Sequence, residues 1–325
     1  MSEVVKCGLY ADGQLDRELN VDELEDFECA EGNFVWVGIH EPTPELLRKV
    51  QKVFHLHDLA VEDALRAHQR PKIEEYGQSL FIVVRTARWN EQNKKVEYGE
   101  TDMFVGSNYF VTVRHGPSAP YAEVRARAES VPHLLRKGPS YALYAVLDFM
   151  VDNYFPVFDQ LEGTVEDLED RLFRDDPNPR FTRRVYQVRR ELGRFKRVVT
   201  PLLEVLARQT RADLKLVSDD IRPYFRDVYD HLVRINESLE QLRETVHSAL
   251  EASLALISVK QNETMQMLAA WAAILAIPTV VAGVYGMNVD WLPGAHFLGG
   301  SPPIVGATLV ACGLLYWRFK KSGWL

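Results

Sequence analysis

The residues best suited to chemistry in this chain carry no charge. Gly286, Met287 and Asn288 close a stretch that runs from Thr264 to Val289 without Asp, Glu, Lys or Arg. Counting back from Asn288 in helical steps reaches Thr279, Ala276, Ala272, Leu268, Met265 and Asn262. If several copies of such a helix surrounded one axis, this stripe would face the axis from each copy. It is polar at both ends and apolar, largely small, between. Amide oxygens of Asn and hydroxyls of Thr are hard neutral donors. Mg²⁺ sheds water reluctantly, so a ring of amides would hold the hydrated ion through its waters. With no carboxylate in the ring the ion can leave again, and the apolar middle could close by dewetting. Two plainer readings fit the same residues. Ala269, Ala270, Ala272, Ala273, Ala276, Ala282 and Gly283 suit helix packing in lipid, and an Asn at a helix end is a common cap. Pro278 removes a backbone hydrogen bond in mid-stretch, as a kink or as a gate.

These residues need an apolar helix to position them. About 20 apolar residues cross the roughly 30 Å hydrocarbon core. Leu268 to Tyr285 meets that length, and Pro302 to Phe319 meets it at the short end. The segment 289–301 between them is too short for a domain, so the C-terminal part reads as a membrane hairpin. Arg318, Lys320 and Lys321 follow the second span, whereas 289–301 has no Lys or Arg. Positive charge stays inside, which places both termini in the cytoplasm. The N-terminal segment is polar and acidic and lacks the apolar core of a signal peptide. The expected organisation is a cytoplasmic α/β domain at 1–138 and long helices and stalk at 139–263. A first span at 264–288, an outer loop at 289–301, a second span at 302–319 and a basic tail at 320–325 complete it.

Composition alone looks soluble, with 46% hydrophobic and 26% charged residues. A net charge of −8 argues against nucleic acid as a partner. Excess carboxylates suit cations, and solubility explains them equally well. Cys7, Cys29 and Cys312 lie far apart and read as reduced thiols. No Gly-rich phosphate loop, nucleophile elbow or metal-hydrolase His pair is present, which argues against an enzyme. The nine His residues are scattered, and only His55 and His57 alternate.

The first 115 residues mix strand and helix signals. Strands are expected at Phe34–Ile39, Leu80–Ala87, Val96–Gly106 and Tyr109–Arg114. Helices are expected from an N-cap at Thr43 to Phe54 and from Asp58 to His68. After Pro139 the chain turns helical. One helix is expected over Ser140–Phe173 and a second, strongly basic one over Phe181–Gln209. That basic face could meet anionic lipid or pair with the acidic run Glu162–Asp170. A third helix starts near Asp219 and continues to Asn288. Its apolar residues, from Ile221 through Val228, Leu232, Ile235, Leu239, Leu242, Val246, Leu250 and Leu254 to Ile257, recur at heptad-like spacing. About 65 residues of helix span roughly 100 Å and need neighbours along their length, which argues for a parallel homo-oligomeric bundle entering a membrane.

Tyr285-Gly286-Met287-Asn288 at the outer end of the first of two C-terminal spans resembles the CorA family of divalent-cation channels, in the metal ion transporter superfamily. Arg70-Pro71-Lys72-Ile73-Glu74-Glu75-Tyr76, Leu80-Phe81-Ile82-Val83 and the run from His57 through Asp63 to Leu65 are similar to that family's cytoplasmic sheet and helices. So is the end Lys320-Lys321-Ser322-Gly323-Trp324-Leu325. The resemblance implies an α+β cytoplasmic funnel domain, a mixed sheet with helices, followed by a very long stalk helix and two transmembrane helices. It implies a homopentamer in a bacterial-type inner membrane. The first span would line the pore and the second would face lipid. Asn288 would contact hydrated Mg²⁺, Gly286 would permit a tight turn, and Tyr285 and Met287 would pack around it. Thr279, Met265 and Asn262 match the family's pore-facing positions. The resemblance also implies closure by cytoplasmic Mg²⁺ bound between subunits, at Asp63 with Glu62 beside it and Asp227, with Asp148 and Glu251 matching further acidic positions.

Some residues depart from the pattern. The outer segment has one acid, Asp290, and one His, His296, so attraction of cations at the mouth is weak. The family has a zinc-transporting branch that often replaces Met in the middle of the motif, and Met287 leans toward the magnesium type. Flux of Mg²⁺, with Co²⁺ or Ni²⁺ as further cargo, is the leading expectation. Zn²⁺ transport, coupled to protons or not, is the alternative, and a non-conducting membrane-anchored sensor oligomer is the third.

Overall fold

The computed structural model describes residues 4–20, 29–30, 32–67, 69–117, 119, 121–174, 179–211, 214–287 and 302–325. The chain divides into two compact units. The first comprises 1–174 and 183–248, and the second 175–182 and 249–325.

The first unit opens with strands β1 (Val4–Ala11) and β2 (Gln14–Glu18). Asp12 and Gly13 both have positive φ, 51° and 76°, which makes the tight turn of a twisted hairpin. A side chain at Gly13 would put its Cβ 2.0 Å from Pro132 O, so only glycine fits. Then come β3 (Phe34–His40), α1 (Pro44–Phe54), α2 (Asp58–Arg66), β4 (Lys72–Tyr76), β5 (Ser79–Asn90), β6 (Lys95–Val105) and β7 (Tyr109–His115). The seven strands form one sheet in the order β2-β1-β3-β7-β6-β5-β4. β3 and β7 pair in parallel and the other neighbours are antiparallel. Thr43 caps α1 as expected, its Oγ1 accepting from Leu46 N.

Side chains alternate across the sheet. Val35, Val37, Ile39, Val111 and Val113 bury one face with Leu47, Val50, Ala60 and Ala64 of α1 and α2. The other face meets α3 (Ala122–Glu129), α4 (Pro132–Leu135) and α5 (Pro139–Asp152), which is buried on nearly every side. Because both faces are covered, β3 reads as an unbroken apolar run.

The single helix expected over Ser140–Phe173 is two, α5 and α6 (Tyr154–Arg174), separated at Asn153. Pro156 has no N–H to give to the carbonyl four residues back, so it sits in the first turn of a new helix, where none is needed. Asn153 closes the preceding turn, donating from Nδ2 to Phe149 O at 2.7 Å. Next are α7 (Pro179–Gln209), α8 (Arg222–Tyr285) and α9 (Pro302–Lys321). On α8 the apolar stripe is buried at Phe225, Val228, Leu232, Ile235, Leu239 and Val246. The basic face of α7 is in part paired, Lys196 with Glu240 of α8 and Arg194 with Glu191 at 3.3 Å.

The second unit holds the remainder of α8 and α9. Ala249, Leu250 and Ser253 are its last buried positions before Ala270 and Ile274. Among the described residues, α8 is the helix long and apolar enough to cross a bilayer, with a mean hydropathy of 2.1 in its apolar window, of which 11% is buried. α8 stays helical through Pro278. The proline leaves Ile274 O without its helical donor, and Cys312 of α9 supplies one, Sγ lying 3.6 Å away. Trp271 and Tyr316 stack loosely between the same two helices, at 6.3 Å.

Candidate functional site

The buried and half-buried positions of this segment of α8 are Gln266, Ala270, Ala273, Ile274, Ile277 and Val281, and Ile274 and Trp271 meet α9 at Cys312 and Tyr316. At about 100° per residue, Met265, Leu268, Ala272, Ala276 and Thr279 fall away from that buried side, whereas Asn262 falls at its edge, beside Gln266 and Ala273. All six are exposed, Met265 by 69% and Leu268 by 64%. Five of the six stripe positions, from Met265 to Thr279, therefore lie on one exposed face turned from the buried side of the helix, with Asn262 at its margin. Thr279 donates its hydroxyl to Leu275 O at 2.8 Å, which holds the oxygen at the helix surface with a lone pair outward.

At the end of α8 the last turn tightens. Gly286 N donates to Ala282 O at 2.8 Å, and Met287 N to Val284 O at 3.3 Å, a shift from four-residue to three-residue bonding. A Cβ on Gly286 would lie 2.9 Å from Ala282 O, so this turn excludes any larger residue. Met287 is exposed. Asn288 and Asp290 lie outside the described residues.

The acidic positions are held separately. Asp63, 25% exposed on α2, pairs with Lys72 Nζ of β4 at 2.8 Å, and Lys72 also reaches Glu74 at 2.7 Å. Glu62 pairs with Arg66 one turn on, at 2.9 Å. Asp227 is exposed on α8 and makes no ion pair with another described residue. Asp148 is buried on α5, and Arg127 engages it while reaching Asp152 at 3.6 Å. Burial, with help from the Asp152 charge, pushes the Asp148 carboxyl up against the pull of Arg127. Asp148 is thus already neutralised within its own chain. The ring of Tyr144 lies 5.3 Å from that of Tyr224 on α8, and burial first, then the charge of Asp148, pushes its hydroxyl pKa up. Glu251 is exposed further along α8. Among the described residues no three His, Cys, Asp or Glu side chains of one chain converge as a metal site. Asp63 and Asp227 fit a divalent cation in their chemistry, as hard oxygen donors. One chain alone does not complete a coordination shell from them.

The sequence reading missed two neighbours of Asp63. Lys72 is its resident counter-charge. Beneath them, Asp102 of β6 is fully buried, its carboxylate 3.9 Å from His115 Nε2. Burial, then the charges of Glu100 and Asp63, hold Asp102 well above the usual carboxylate range, against Lys72 and Arg85. The spacing of Glu100 and Asp102 was the available signal, since two acids two apart in a strand share one face.

A mixed-sheet domain and a 64-residue helix with an exposed apolar end long enough to cross a bilayer are the features of a membrane protein. Comparison with known proteins narrows the class. Residues 31–321 match the family described as CorA-like Mg2+ transporter protein, and the chain belongs to that family. It is 30% identical over 289 residues to the cobalt/magnesium transport protein CorA of Thermotoga maritima, covering 89% of this chain and 82% of that one. It is 24% identical over 297 residues to the zinc transport protein ZntB of Pectobacterium atrosepticum, covering 89% and 88%. Among solved structures, the complete CorA magnesium transporter of Methanocaldococcus jannaschii superposes with a TM-score of 0.80 at 20% identity, over 99% of both chains. That likeness carries the fold: a mixed sheet with helices and a long helix with an apolar stretch.

Proposed function

We propose that five copies of this chain form a channel for hydrated Mg²⁺, with Co²⁺ and Ni²⁺ as further cargo, in a bacterial-type inner membrane. The observation that carries it is the exposed face of α8. A helix that exposes Met265, Leu268 and Thr279 on one face, with Asn262 at its margin, needs either lipid or other copies against that face. Polar ends argue for an axis, because lipid would favour apolar residues throughout. In this arrangement α9 forms the outer, lipid-facing ring, and Arg318, Lys320 and Lys321 keep its end in the cytoplasm. Gly286 turns the chain so that Asn288 amides ring the mouth. Neutral amides hold the ion through its water shell, weakly enough for release. Asp290 supplies a single further attraction at the mouth.

Closure follows from the acids. Asp63 and Glu62 of one copy would face Asp227 of the next, with Glu251 further along the stalk. Carboxylates brought together from two subunits repel unless a cation bridges them, so loss of cytoplasmic Mg²⁺ loosens the interface. Lys72 sets the threshold, because the metal must displace or outweigh its 2.8 Å contact with Asp63. Asp148 contributes only where Arg127 is drawn away.

A second reading, Zn²⁺ transport, is favoured by the similarity to the ZntB protein along most of the chain. Purified protein in liposomes, assayed with Mg²⁺- and Zn²⁺-sensitive dyes with and without a pH gradient, separates the two. Mg²⁺ flux without need of a proton gradient is the expected result. Proton-coupled Zn²⁺ flux without Mg²⁺ flux would select the second reading. Silence in every condition would leave a non-conducting membrane oligomer.

A further inference from the structure

A cavity of about 200 Å³ lies in the first unit between α3 and the sheet face formed by β1, β3 and β7. Three cationic side chains border it, Lys6, Arg114 and Arg125, against one carboxylate, Glu129. Most of these charges are already used. Lys6 pairs with Glu18 at 3.2 Å. Arg125 donates to Tyr10 Oη and to Trp36 O, each at 3.1 Å, and lies 4.5 Å over the Trp36 ring. Glu129 accepts the Tyr10 hydroxyl at 2.6 Å.

Arg114 is different. It is 8% exposed, and its Nε is buried without a hydrogen-bond partner. Among the described residues its guanidinium meets no carboxylate, only the face of Tyr121 at 4.8 Å. Burial pushes its pKa down, and among the described residues Tyr121 opposes this. Buried cations are normally paired, because removing a charge from water without compensation is among the costliest features a fold can hold. The neighbouring strand position Thr112 carries no charge to compensate it, and its hydroxyl donates to Val37 O. A fold that keeps a lone buried arginine at the wall of a cavity leaves room for the missing anion.

We propose that this cavity binds a small oxyanion of the phosphate monoester class, with Arg114 as its principal ligand and Arg125 as a secondary one. The guanidinium fork matches a phosphate or carboxylate edge with paired donors. The excess of cations over the single acid favours the more highly charged phosphate. The cavity exceeds the size of a bare phosphate and leaves space for a short organic group. The site lies in a different layer from Asp63 and Lys72, on the opposite face of the sheet from α1 and α2, and does not depend on the transport reading.

The test uses the full-length protein in detergent and Mg²⁺-free buffer, with calorimetric titration of phenyl phosphate, inorganic phosphate, uncharged benzyl alcohol and a short-chain phosphatidic acid. Saturable binding of phenyl phosphate without binding of benzyl alcohol is expected. Arg114→Met, which keeps the length and removes the charge, should weaken it at least tenfold. Gly38→Leu gives an independent check that keeps every charge. A Cβ at Gly38 meets nothing nearer than Lys6 O at 3.7 Å, so the larger side chain enters the cavity and should weaken binding as much. No saturable binding of either free phosphate probe at millimolar concentration would overturn the proposal. So would binding of the phosphatidic acid alone, or unaltered phenyl phosphate affinity in a correctly eluting Arg114→Met or Gly38→Leu protein.

Discussion

Leu232 and Leu268 stand on the same helix and live in opposite worlds. Leu232 is 0% exposed in a core its own chain completes, while Leu268 is 64% exposed. In the first unit, apolar side chains find partners within the chain, and the buried carboxylate of Asp148 finds an arginine. Past Ser253 the large apolar residues Val259, Met265, Met267, Leu275 and Val280 lie exposed. One region is stabilised by folding, and the other is stabilised only by what surrounds it.

The sharpest way to break this contrast is the same truncation in both regions. Leu232→Ala should cost about 2–5 kcal/mol, the usual price of a core cavity. Leu268→Ala should stay within about 0.5 kcal/mol, as for a side chain its own fold leaves exposed. Thermal unfolding of both variants in detergent decides. Equal losses would mean that the Leu268 face is already packed.

A smaller effect is expected at the acids. Lys72→Met removes the counter-charge of Asp63, so less Mg²⁺ should protect the protein from limited proteolysis, by roughly tenfold for about 1.4 kcal/mol of coupling. Adding Asp63→Ala and Asp227→Ala should abolish the Mg²⁺-dependent protection. Protection curves unchanged by all three substitutions would reduce these acids to surface charge.

The smallest effect concerns pH. Asp102 has a folded pKa well above its unfolded value of about 3.9. The native state holds that proton more tightly, so the stability it contributes is complete below the unfolded value and is lost as pH rises through the folded one. Asp102→Asn should remove this part of the decline, leaving a flatter melting temperature as pH rises from acid. An equally steep decline in the variant would place the titration elsewhere.

Much of this fold was legible in advance, for physical reasons that differ by element. The strand at β3 and the capped helix α1 announce themselves through local chemistry, an apolar run and a Thr at the cap. The stripe on α8 is legible because helical period and charge depletion act along one continuous segment. The β1–β2 hairpin escaped, although Asp12-Gly13 is a strong turn signal, because β2, Gln14–Glu18, is short and mostly polar and shows no apolar alternation of its own. The break at Asn153 escaped because the apolar pattern runs on through Tyr154 and Val157, and Pro156 sits where a new helix tolerates it. Lys72 and Asp102 escaped because Asp63 is brought to them by the packing of α2 on the sheet; the two-residue spacing of Glu100 and Asp102 records only that they share a face of one strand.

The most direct test of the central claim is Mg²⁺ flux into liposomes by Asn288→Ala, beside the unaltered protein, with assembly verified by mass. The account predicts an intact oligomer whose Mg²⁺ flux is abolished or strongly reduced. An intact oligomer of Asn288→Ala that conducts Mg²⁺ at the unaltered rate would contradict it.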